Sequence, residues 1–175
     1  MQQQDTRLTA VTQLESAGPI VLFDGVCNLC NGAVRFVIAR DPAGRVRFAS
    51  LQSEVARRLL QEHAGAPAVH EGEVPPGDLI EVATGPSWLA VPGPSEAGDT
   101  ILLIENGQLY ARSTAALRLA GHMRGPWPVL KALLLVPERL RDAVYGLVSR
   151  RRYRWFGRTD VCRLPSPAEA ARFLN

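Results

Sequence analysis

The sequence predicts an α/β protein, and three observations carry that expectation. Ile20-Val21-Leu22-Phe23 is apolar without interruption, the mark of a strand covered on both faces. A helix-spaced segment, a second strand and a second helix follow it, so the first third alternates strand, helix, strand, helix. Further on, Asn106-Gly107 sits between two more strand-like runs and is a strong two-residue hairpin signal. The 175 residues are 46% hydrophobic and 21% charged, enough for a core and inconsistent with wholesale disorder.

Each element has a local reason. Residues 1–18 read as a polar tail closed by Gly18-Pro19, and the first strand ends at Asp24-Gly25. From Asn28 to Arg40, Leu29, Ala33, Phe36 and Val37 keep helical spacing until Asp41-Pro42-Ala43-Gly44 stops them. Val46 to Leu51 alternates as a short strand, and Ser53 is placed to cap a helix reaching His63. Residues 64–99 break the rhythm with six prolines, several glycines and many acidic side chains, and read as a long surface insertion. Thr100–Glu105 and Gln108–Arg112 are the hairpin strands, and Ser113 is expected to cap the next helix, which ends near Gly121. Pro128 to Val148 is helical with a break at Pro137, and the basic run Arg150–Arg158 follows. Ser166-Pro-Ala-Glu169 is a capping box opening a short terminal helix. One domain over 19–175 is expected, with 64–99 inserted as a loop and 124–175 as a helical, basic extension.

Charge is distributed unevenly. Residues 1–111 sum to −6 and residues 112–163 to +9, within a chain of net charge +3. No run of apolar residues is long enough to span a bilayer and the N-terminus lacks a signal-peptide pattern, so a cytoplasmic location is expected. Three cysteines, an odd and sparse set, exclude a disulfide-stapled scaffold.

Two of the three, Cys27 and Cys30, form a Cys-x-x-Cys pair where the buried strand hands over to a helix. A cysteine at a helix N-terminus faces unpaired backbone N–H groups and the positive end of the helix dipole, both of which favour thiolate. Cys27 is therefore the candidate nucleophile, and Cys30, one turn on, the candidate resolving thiol. Asp24 can cap the turn, accept the Cys30 proton during resolution, or do both. A zinc site completed by Cys162 and one of His63, His70 or His122 is the metal alternative, weakened by the lack of a second closely spaced ligand pair. A phosphatase-type aspartate nucleophile loop fails at Leu22, where the first aspartate would be needed. Cys162 is either incidental or an accessory thiol, and the histidines are expected at the surface. Arginines interleaved with Tyr153, Trp155 and Phe156 can meet nucleic acid or an anionic membrane. The favoured reading instead packs Trp127, Tyr145 and those three aromatics inward and leaves the arginines solvated, with an acidic partner protein as the functional rival. A redox-inert module that docks a partner through this basic face is the alternative to an enzyme.

The run Ile20-Val-Leu-Phe-Asp24-Gly-Val-Cys27-Asn-Leu-Cys30, followed by Val34, Phe36 and Arg40-Asp41, resembles the DCC family of thiol-disulfide oxidoreductases, named for Asp-x-x-Cys-x-x-Cys. Leu51-Gln52-Ser53, Glu105-Asn-Gly, Tyr110-x-x-Ser113 and Tyr153-Arg-Trp-Phe-Gly157 extend the resemblance over nearly all of 19–165. It implies a thioredoxin-like central sheet flanked by helices. It also implies dithiol–disulfide exchange, with a disulfide-containing protein or small-molecule thiol as substrate and an external reductant; no cofactor and no nucleic-acid partner are expected. Two departures stand out. The 64–99 insertion is longer than the family suggests, and Asp99-Thr100 occupies the place where thioredoxins carry a cis-proline. Asp99 and Thr100 are thus the expected substrate-positioning residues.

Overall fold

A computed structural model describes residues 18–63 and 100–159, Ser166, and residues 169–174. The 64–99 insertion, Asp99, His70, Cys162 and all but the last residue of the 1–18 tail lie outside the described residues.

The described chain runs β1 (Ile20–Phe23), α1 (Asn28–Arg40), β2 (Arg47–Ser50), α2 (Glu54–Glu62), β3 (Leu102–Glu105), β4 (Gln108–Ala111) and α3 (Arg112–Ala120). A 3-10 segment, Trp127–Leu135, then leads into α4 (Glu138–Phe156), and a last 3-10 turn covers Ala170–Arg172. The four strands form one mixed sheet in the order β2-β1-β3-β4. β1 and β2 are parallel, with Val21 opposite Phe48, while β3 runs antiparallel to both β1 and β4. This is the thioredoxin-like α/β arrangement.

Strand periodicity splits the core between two faces. Val21, Phe23, Phe48 and Leu103 pack with Val34 and Val37 of α1 and with Ala115 and Leu119 of α3. Ile20, Leu22, Ala49 and Leu102 point the other way, onto Ala56, Leu59 and Leu60 of α2. Every residue of β1 is buried, as its unbroken apolar run requires. The β3–β4 hairpin turns on Asn106 and Gly107 with φ of +55° and +74°, the pair of left-handed residues that a two-residue turn of matching twist needs. Edge strand β2 is covered by the chain's last residues: Leu174 N–H donates to the Phe48 carbonyl at 2.8 Å, and the Phe173 ring packs on Phe23 and Phe48.

Three local expectations are corrected. Ser113 does not cap α3. Ala111 holds the cap position, and the carboxylate of Asp142, reaching across from α4, accepts the Ser113 N–H at 3.3 Å. Arg112 at this junction has φ +54°, and its guanidinium lies 3.8 Å from the same carboxylate. The basic run does not follow the helix but is its last turns, since α4 continues unbroken to Phe156. His63 is buried rather than exposed, its Nδ1 2.8 Å from the Leu59 carbonyl at the end of α2.

Candidate active site

The Cys-x-x-Cys pair sits at the C-terminal end of β1, where the strand turns into α1. Cys27 is the N-cap of α1: its backbone is still extended, and its Sγ accepts the N–H of Cys30 at 3.5 Å. A sulfur takes the place that Ser, Asp or Asn oxygens usually hold, so the end of the helix dipole falls on the thiol. Both thiols are free, Cys27 fully buried and Cys30 partly exposed. Burial pushes the Cys30 thiol up from an ordinary 9.0 to about 12, and its hydrogen bond to Cys27 and the charge there push the same way. Arg152 opposes this and Asp24 reinforces it. Cys30 therefore keeps its proton at neutral pH.

Asp24 is buried, and its two oxygens are divided between turn and helix. Oδ1 accepts the Val26 N–H at 3.1 Å and the Gln52 amide at 3.0 Å; Oδ2 accepts the Tyr153 hydroxyl and Arg152 Nη2, the latter at 3.3 Å. The first of these bonds is the turn-fixing role expected of Asp24, and none of the four goes to a thiol. Gln52 also accepts the Gly25 N–H at 3.2 Å, and Asn31 donates to the Gly25 carbonyl at 2.9 Å. The loop before Cys27 is thus held from β1, α1 and the β2–α2 connection together.

α4 supplies the rest of the site. Arg152 is 3% exposed, donates to Ser149 Oγ and to the Tyr153 hydroxyl, and ion-pairs with Asp24. Burial works against its charge, but the bond and attraction of Tyr153 and the pull of Cys30 and Cys27 outweigh it and raise its pKa. Burial and the bond to Asp24 raise the Tyr153 pKa, so the phenol keeps its proton as a donor. Thr100 lies near the start of β3, and Tyr145 of α4 is beside it. The Tyr145 hydroxyl accepts the Ile101 N–H at 2.9 Å and lies 3.3 Å from Thr100 Oγ1. Burial raises the Tyr145 pKa, against the opposing hydrogen bonds of Thr100 and Ile101.

Past the end of α4 the chain crosses back over Cys27. Thr159 N–H donates to the Val26 carbonyl at 2.9 Å, and Cys27 and Arg158 form an isolated antiparallel bridge. Asn28, inside the motif, donates from Nδ2 to the Phe156 carbonyl at 3.0 Å and accepts from Thr159 Oγ1 at 2.9 Å. Gly157 makes the turn at φ +78°, and a Cβ there would come within 3.2 Å of Asn28 Nδ2. Residues 157–159 thus form a strap beside the fully buried Cys27.

The sequence reading brought Cys27, Cys30 and Asp24 into one site, but it missed Arg152, Tyr153 and Tyr145. Tyr153 was present in Tyr153-Arg-Trp-Phe-Gly157, part of the resemblance without an assigned role, whereas Arg152 and Tyr145 lie outside that motif. The expectation that the arginines stay solvated fails at Arg152 and at Arg141, which donates to Thr114 Oγ1 at 2.8 Å from a buried position. The expectation that the aromatics pack inward fails at Trp155 and Phe156, which are 51% and 48% exposed. Among the described residues no group of three or more His, Cys, Asp or Glu side chains is placed to hold a metal ion. His122 lies 2.6 Å from a Glu105 carboxylate oxygen.

A family model described as DCC1-like thiol-disulfide oxidoreductase matches residues 21–72 and 81–158. The Bacillus subtilis (strain 168) protein named "Uncharacterized protein YuxK" is 41% identical over 155 residues, which cover 89% of this chain and 93% of that one. The Arabidopsis thaliana "DCC family protein At1g52590, chloroplastic" is 36% identical over 151 residues, 86% of this chain and 72% of its own. No solved structure matches the chain significantly. With the family model spanning both the cysteine pair and the α4 residues that surround it, this chain belongs to the DCC1-like thiol-disulfide oxidoreductase family.

Proposed function

We propose that the protein is a thiol-disulfide oxidoreductase in which Cys27 is the nucleophile and Cys30 the resolving thiol. The observation that carries this reading is the position of Cys27 Sγ as the N-cap of α1, with the Cys30 N–H directed at it. The helix end and the Arg152 guanidinium both favour negative charge on that sulfur. In the first step the Cys27 thiolate attacks one sulfur of a substrate disulfide, and the other sulfur leaves as a thiolate that takes a proton from water. Cys30 then gives its proton to water and attacks Cys27 Sγ, which forms the Cys27–Cys30 disulfide, breaks the bond from Cys27 to the substrate, and releases the second substrate sulfur as a thiolate that is protonated in turn. Two electrons have passed from the protein dithiol to the substrate, and an external dithiol returns them.

Once Cys27 is tied up in the mixed disulfide, its charge no longer helps to hold the Cys30 proton, while burial, the largest cause of the raised value, remains. Asp24 acts in this scheme as a positioning residue that holds Arg152 and Tyr153. Thr100, whose Oγ1 lies within hydrogen-bond distance of the Tyr145 hydroxyl, is assigned the guiding of an incoming chain. A substrate reaches Cys27 by displacing the 157–159 strap, whose antiparallel bridge it replaces.

Turnover of a small disulfide substrate with a dithiol reductant tests the reading. Cys27→Ser is expected to abolish turnover, and Cys30→Ser to stop it after one mixed disulfide per molecule. Wild-type turnover in both variants would overturn the proposal.

A further inference from the structure

We propose that the outer side of the C-terminal extension is a docking surface for an anionic lipid bilayer, on which the protein lies without crossing it. Among the described residues, every large apolar side chain that is exposed falls between Val129 and Phe156. The 3-10 segment Trp127–Leu135 has no buried residue, and Val129 and Leu135 are 73% and 90% exposed. On α4, Leu140, Val144, Leu147 and Trp155 are exposed at positions that helical periodicity places along one stripe. Arg141 and Arg152 of the same helix are buried and lie off this stripe, about a quarter turn from its centre. Exposed apolar surface confined to one region of a protein marks an interaction site.

Charge selects the occupant. Arg139, Arg150 and Arg154 are exposed and run along one edge of the stripe, and Arg151 lies within it, its guanidinium 5.7 Å from the Trp155 ring centre. Arg124, Lys131 and Arg158 are further exposed cations of the C-terminal extension, and α4 carries only two carboxylates, Glu138 and Asp142, the latter bound by Ser113 and Arg112. A helix that lies in a membrane interface combines arginine with tryptophan and leucine on adjoining faces. Long arginine stems can lie along the apolar surface and carry their heads to phosphate groups. No helix among the described residues is long and apolar enough to cross a membrane, so the contact is one of lying on the surface. The proposal does not rest on the thiol chemistry.

Sedimentation with vesicles of equal parts phosphatidylcholine and phosphatidylglycerol, compared with pure phosphatidylcholine vesicles, tests it without any variant. The protein is expected to pellet with the anionic vesicles and to remain largely in solution with the neutral ones. Leu140→Ser/Val144→Ser/Leu147→Ser and Arg150→Glu/Arg154→Glu alter exposed side chains only. Each is expected to weaken partitioning by about tenfold or more, with circular dichroism confirming the fold. A wild-type protein that stays in solution with anionic vesicles overturns the proposal. So does an apolar-stripe variant that binds like wild type, which would mean adsorption of a basic protein alone. A wild-type dimer that the same variant converts to monomer also overturns it, assigning the stripe to a second copy of the chain.

Discussion

Asp24 accepts hydrogen bonds from four groups on three parts of the chain, and a buried carboxylate so placed is tolerable only because Arg152 neutralises it. Removing the guanidinium would strand that charge. Arg152→Met is therefore expected to cost about 3–5 kcal/mol of stability, as for other broken buried pairs. Asp24→Asn/Arg152→Met is expected to cost less than the sum of its single changes. Urea denaturation of the reduced proteins measures both, and simple additivity would show that the pair is not coupled. At this scale the sequence was legible where chemistry is written locally. Cys27, Cys30 and Asp24 lie within seven residues, and their roles follow from the strand-to-helix junction. Arg152 was not legible, because it stands among Arg150, Arg151 and Arg154 and nothing in composition tells the one buried guanidinium from its exposed neighbours.

α4 is the element that joins the fold to the site. It caps α3 through Asp142, covers β3 through Tyr145, neutralises Asp24 through Arg152 and ends in the strap over Cys27. The strap is held at Asn28 by two exposed hydrogen bonds, which are individually weak. Asn28→Ala is expected to speed alkylation of Cys27 by iodoacetamide by about an order of magnitude, the equivalent of about 1.4 kcal/mol. An unchanged rate would show that the strap does not govern access to the thiol. Element boundaries were mostly readable from local signals, such as Ser53 capping α2 at Ala56 N–H and Asn106-Gly107 closing the hairpin. The cap of α3 was not, because Asp142 lies 29 residues away in sequence. Local reasoning chose Ser113, the nearest suitable residue, and tertiary contact overrode it.

For the whole molecule, three groups near the site share a direction of titration. Cys30 is raised to about 12, and Tyr145 and Tyr153 are raised above their ordinary 10.0, with burial the first cause in each. Well below pH 9, all three are protonated in folded and unfolded chains alike, and their contribution to stability is complete. As pH rises from about 9 towards 12, the unfolded chain releases protons that the native state retains, so stability falls. Urea midpoints of the reduced protein are expected to drop steadily over that range. Cys30→Ser is expected to make the early part of the fall shallower, and a profile identical to wild type would remove Cys30 from the effect. The overall architecture was legible because the sheet's hydrophobic pattern and turn signals agree with one another. The surface was less so: counting arginines and aromatics together suggested inward rings and outward cations, whereas the geometry of one long helix places some of each on both sides.

The account rests on which sulfur reacts first, and the structure sets a demanding test because Cys27 is buried while Cys30 is partly exposed. Peptide mapping by mass spectrometry can locate the adduct formed when Cys30→Ser and Cys27→Ser, each in a Cys162→Ser background, meet the same small disulfide. The account predicts a stable mixed disulfide at Cys27 in the first protein, formed much faster than any adduct at Cys30 in the second. Faster adduct formation at Cys30 would contradict it.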